Sequence, residues 1–173
     1  MRILALDLAS CTGWACGSIP EGVVEHSSYQ LPKTGEDVGM FLAYFRKWLE
    51  STIARNRPGE VIFESPILPD KTSISTLRKL YSLAGLTELV ALDHKLVCRE
   101  ANISEICTHF LCRGYPRKSE LRKKATVAQC RVRGWPTKDD NDADALALLD
   151  YALALKQPSR ALASTPLFGG INR

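Results

Sequence analysis

The sequence has no apolar run long enough to span a membrane, so a helical membrane protein is excluded. Its six cysteines, Cys11, Cys16, Cys98, Cys107, Cys112 and Cys130, form no C-x-x-C pair, which argues against a zinc knuckle or a dithiol redox motif. Buried, reduced thiols are the expectation. Met1-Arg-Ile-Leu opens directly on a strand pattern and lacks a signal-peptide layout, so a cytoplasmic protein is expected. No internal repeat is present. Acid is scarce in one place: between Arg113 and Lys138, Glu120 is the only carboxylate among Arg113, Arg117, Lys118, Arg122, Lys123, Lys124, Arg131, Arg133 and Lys138. The net charge of +4 is modest, but this local density points to a polyanionic partner. With 173 residues and 45% hydrophobic content, disorder is excluded as the general state and one domain is expected, over residues 1–156. Residues 157–173, with Pro158, Pro166, Gly169 and Gly170, read as a loose tail.

Two short apolar runs each end in a carboxylate. Val61-Ile-Phe precedes Glu64 and is bounded by Gly59 and Pro66; Ile3-Leu-Ala-Leu precedes Asp7. Both read as strands buried on two faces, and open α/β sheets place their sites beyond strand ends. Trp14–Cys16 and Val23–Tyr29 complete a three-strand antiparallel meander with the first strand, turning at Pro20-Glu-Gly22. Val38, Phe41, Leu42, Phe45, Trp48, Leu49 and Ile53 recur at helical spacing. A second helix runs from Ser73 to His94 with leucines on more than one face. Val97-Cys98 is a brief fifth strand. Helices follow over Ile103–Leu111, Lys118–Arg133 and Asp142–Leu155. The expectation is a mixed α/β sheet of five strands, an antiparallel meander plus parallel strands, with helices on both faces.

The last helix opens on Asp139-Asp-Asn-Asp-Ala-Asp144. Capping needs only one of these aspartates. Asp140 and Asp144 share a helix face, as do Asn141 and Asp144, so carboxylates from this helix can point at Asp7 and Glu64. Carboxylates held together repel one another, and a hard divalent cation relieves the conflict. Oxygen-only ligands suit Mg²⁺ or Mn²⁺, and two such ions form a clamp for phosphodiester cleavage. An acidic metal site beside a basic tract implies a nucleic acid backbone as substrate. No organic cofactor is expected. Lys71, Arg117, Lys118 and Arg122 are the expected DNA contacts.

The segments Ile3-Leu-Ala-Leu-Asp7-Leu-Ala-Ser-Cys-Thr-Gly-Trp14-Ala, Val61-Ile-Phe-Glu64, His109-Phe-Leu-Cys-Arg-Gly114-Tyr-Pro-Arg-Lys118-Ser-Glu-Leu and Asp142-Ala-Asp144-Ala-Leu-Ala, in that order, resemble the RuvC-like Holliday junction resolvases, a branch of the ribonuclease H-like nucleases. The resemblance spans Met1 to Leu155. It implies a Mg²⁺-dependent homodimer that cuts branched DNA. Asp7 would bridge two ions, with Glu64 and Asp144 each holding one. The fourth acidic position falls on Asp140 or Asn141, with Asp140 preferred. Ile67 stands near the place of a family aromatic that stacks at the junction, where Ile67 and Leu68 offer an apolar wedge instead.

The same resemblance puts a dimer contact on the Ser73–His94 helix, with Leu83 and Leu86 among its outward positions; the residues alone allow equally a helix covered within one subunit. A ribonuclease H acting on RNA or RNA–DNA hybrid is the alternative enzyme, and a non-catalytic nucleic-acid binder the alternative class. Asp7-Leu-Ala-Ser-Cys-Thr-Gly13 also resembles the phosphate loop of sugar kinases and actin-like ATPases. The chain is too short for their two domains and lacks a second Gly-rich loop.

Overall fold

A computed structural model describes residues 1–66 and 73–157. Ile67, Leu68 and Lys71 lie outside the described residues, as does the expected tail beyond Gln157. The strands are β1 (Arg2–Asp7), β2 (Cys11–Ser18), β3 (Gly22–Gln30), β4 (Glu60–Glu64) and β5 (Val97–Ala101). They form one sheet in the order β3-β2-β1-β4-β5. The first three strands make the antiparallel meander, and β4 and β5 continue parallel to β1.

Strand side chains alternate across this sheet and split the interior into two cores. Ile3, Ala5, Ala15 and Ile62 face one side, where α5 (Asp140–Lys156) packs with Ile106 and Phe110 of α3 (Ile103–Leu111) and Cys130 of α4 (Ser119–Val132). Leu4, Leu6, Val61 and Phe63 face the other side, covered by Phe41, Phe45 and Leu49 of α1 (Val38–Asn56) and Leu83 and Val90 of α2 (Ile74–Asp93). Double-sided burial is why β1 and β4 read as unbroken apolar runs. The buried stretch of α5 from Ala145 to Leu149 is apolar all round because it lies between the sheet and α3–α4.

Three expectations shift. The last helix starts at Asp140 rather than Asp142, because the Asp139 carboxylate caps it by accepting from the Asp142 N–H at 2.9 Å. Strand β5 extends through Arg99, Glu100 and Ala101; it is the sheet edge, so polar residues are tolerated there. Leu83 is fully buried in the α1–α2 core and Leu86 packs against it, so neither is an outward position. The exposed strip of α2 is Ile74, Tyr81, Leu89 and Leu92, whose helical spacing sets them along one side.

Candidate active site

Parallel pairing sets Leu6 beside Phe63, so the next residue of each strand, Asp7 and Glu64, leaves the same edge of the sheet. Asp144 joins them from the second turn of α5. That helix start is brought close by Gly13, directly across from Asp7 on β2. A Cβ at Gly13 would stand 1.9 Å from the Asn141 carbonyl oxygen, so only glycine permits this approach.

Further ties fix the α5 start over the meander. The His26 Nδ1–H of β3 donates to Asp142 at 2.8 Å, and the Lys138 backbone N–H donates to the other Asp142 oxygen at 2.9 Å. Ser28 donates to Asp139. Asp139 and Asp142 therefore hold the helix in place and are not free to act at the site.

Asp7, Glu64 and Asp144, each partly buried, form a set of interacting carboxylates. Burial, then the charges of Asp144 and Glu64, raise the Asp7 pKa well above its ordinary value. Burial and Asp144 push Glu64 to about 7. Burial, with a contribution from Asp140, pushes Asp144 to about 6. Arg122 and Lys123 oppose these shifts at Glu64 and Asp144. Such a set is electrostatically frustrated, and a hard cation is what its all-oxygen donor chemistry fits. As the side chains stand, no three metal-capable groups among the described residues form a ready ligand set.

Asp140 behaves differently. It is half-exposed at the rim, and its carboxylate accepts from Lys123 Nζ at 2.7 Å. That hydrogen bond holds its pKa below the ordinary value. Asn141 gives its backbone carbonyl to the close approach at Gly13.

The basic residues divide into two groups. Arg117 lies over the Tyr115 ring, 4.9 Å from its centroid, and is exposed, as is Lys118 at the start of α4. Gly114 turns the chain before them with φ of +90°. Arg122 and Lys123 are half-buried against the carboxylates. Beside them α4 and the start of α5 enclose a groove of about 420 Å³ lined by Lys123, Lys124, Val127, Arg131 and Asp140, among others. Lys123 stands against the carboxylates in a way that the sequence alone does not single out. Thr126 and Cys130, buried at three- and four-residue steps beyond it, mark the inward face of α4 and are the available signal.

A meander continued by two parallel strands, with the acidic edge at the ends of β1 and β4, defines the ribonuclease H-like fold. Solved structures share it over most of the chain. Thermus thermophilus RuvC in complex with a Holliday junction substrate matches with a TM-score of 0.69 at 12% identity, covering 90% of this chain and 96% of that one. The yeast mitochondrial Holliday junction resolvase Ydc2 matches with a TM-score of 0.63 at 11% identity, covering 94% of this chain and 79% of that one. The sequence itself matches no protein-family model and no curated protein.

Proposed function

We propose that the protein is a metal-dependent, structure-specific endonuclease that cuts phosphodiester bonds in four-way or other branched DNA, by paired cuts in opposing strands. The observation that carries this reading is the convergence of Asp7, Glu64 and Asp144, from three separate elements, into one partly buried acidic cluster beside a basic helix. Its likeness in fold to two junction resolvases supports the choice of substrate.

Asp7, Glu64 and Asp144 would hold Mg²⁺, with Mn²⁺ as a substitute and Asp140 as the fourth carboxylate for a second ion. When bound, the metal would activate water and stabilise the leaving oxygen. The protein's own groups do the rest. Arg122 and Lys123 bring positive charge to the rim, where a scissile phosphate would approach. The groove along α4 takes the flanking backbone, and exposed Arg117 and Lys118 extend that surface. The exposed strip on α2 provides the surface for a homodimer, which gives two sites for two cuts.

The test is cleavage of a four-way DNA junction, an RNA–DNA hybrid and a structured RNA in Mg²⁺, with Asp7→Asn, Glu64→Gln and Asp144→Asn as controls. Cutting of the junction alone, lost in all three variants while junction binding persists, is the expected result. Cutting of the hybrid or RNA in preference makes the protein a ribonuclease of the same fold. Junction binding with no cutting by the unaltered protein leaves a binding module.

A further inference from the structure

Lys123 belongs to two places at once. Its Nζ is 2.7 Å from Asp140 in the acidic site, and its stem lines the groove of α4 with Lys124 and Arg131. An exposed lysine–aspartate pair would be worth little. This pair is itself part-exposed, with 37% of the lysine and 44% of the aspartate side chain open to solvent, but it differs because the lysine charge acts on Asp7, Glu64 and Asp144 as well as Asp140. Asp140, Asp144 and Asp7 all strengthen the ammonium form of Lys123 against the cost of its partial burial. The other carboxylates of the α5 start are already engaged: Asp139 by the helix cap and Ser28, Asp142 by His26 and the Lys138 N–H. Asp140 is thus the acid of the α5 start whose only side-chain partner among the described residues is a part-exposed lysine.

We propose that Lys123 is the resident counter-ion of the acidic site, competing with divalent metal and keeping Asp140 out of the ligand set in the DNA-free protein. Two consequences follow from charge and geometry, and they rest on the metal-dependent reading above. The DNA-free protein takes one ion, on Asp7, Glu64 and Asp144. A second ion needs Asp140, and so needs the ammonium group to leave. The groove gives Lys123 somewhere to go, since a phosphate lying along α4 offers it an alternative anion.

The experiment is Mn²⁺ binding to DNA-free protein at pH 8, read by the electron paramagnetic resonance signal of free Mn²⁺. It needs no turnover. The wild type is expected to bind one ion. Lys123→Met should bind the first ion about tenfold more tightly or better, because a positive charge beside a dication is worth at least that. It should also take a second. Lys123→Gln should match Lys123→Met, and Lys123→Arg should match the wild type, which separates charge from packing. The double variant Asp140→Asn/Lys123→Met should keep the tightened first ion and lose the second. Wild-type affinity and stoichiometry in both Lys123→Met and Lys123→Gln would overturn the proposal and leave the metal-dependent reading intact. A wild type that binds no Mn²⁺ at millimolar concentration, like Asp7→Asn, would overturn both.

Discussion

Two aspartates on α5, partly buried Asp144 and buried Asp150, have their pKa values shifted in opposite directions for reasons visible around each. Asp144 and Glu64 face other carboxylates, and their pKa values rise to about 6 and about 7. An acid with a raised folded-state pKa favours the fold while it is protonated and loses that contribution as pH rises through the folded value. The metal-free protein should therefore lose stability between about pH 5 and pH 8, and added Mg²⁺ should raise the melting temperature more at pH 8 than at pH 6. Thermal denaturation with and without Mg²⁺ at both pH values checks this. Asp150 is also buried, which opposes its ionisation, but His109 Nε2–H at 2.8 Å and Arg133 Nη1 at 2.6 Å outweigh burial and keep its pKa below the ordinary value. Its contribution is present above the unfolded-state pKa and is lost as pH falls through the lower folded one. Asp150→Asn leaves the Arg133 guanidinium without a counter-charge over the Phe110 and Trp135 rings. It should cost about 3–5 kcal/mol of unfolding free energy, measured by denaturant titration at pH 7. The same variant should show a shallower fall in stability below pH 4.

At the level of elements, α4 carries both charges that tune the carboxylates and charges that face solvent. Alanine at Arg117, Lys118 and Arg122 together should weaken binding to every DNA sequence alike. The dependence of log affinity on log salt should flatten by about one unit for each phosphate no longer neutralised. Titrations of a labelled junction at several salt concentrations measure it, and an unchanged slope would make the tract an ordinary solvated face. The two strand-end acids are legible in the sequence because β1 and β4 are buried on both faces, so Asp7 and Glu64 break otherwise apolar runs. Asp144 is legible because it interrupts the apolar part of α5. Lys123 is much less so, since Arg122, Lys123 and Lys124 are chemically alike and only their spacing from Thr126 and Cys130, small residues that do not advertise burial, separates the one that turns inward. The full length of β5 is hidden for a related reason: as an edge strand it carries Arg99 and Glu100, and polarity without alternation resembles a loop. Leucines of α2 mislead in the other direction. Hydrophobicity gives no sign that Leu83 turns into the interface with α1 while Leu89 and Leu92 turn out.

For the whole molecule, the strip of Ile74, Tyr81, Leu89 and Leu92 sets the test of assembly. Gly85 lies on the same face and has open space around it, so a partner helix could approach closely there. Sedimentation at micromolar concentration should find a dimer. Leu89→Glu together with Leu92→Glu should give a folded monomer that nicks one strand of a junction and fails to pair its cuts. A wild type that sediments as a monomer, both free and on a junction, removes the paired-cut mechanism. The placement of α5 has a consequence for how the protein comes into being. This helix brings Asp144 and closes the core over Ile3, Ala5, Ala15 and Ile62, yet of the described helices and strands it is the last to leave the ribosome. A nascent chain that has made every other element still lacks one acid of the cluster and leaves one face of its sheet bare. Assembly of the Asp7, Glu64 and Asp144 cluster and closure of that core therefore arrive in a single step once α5 has emerged.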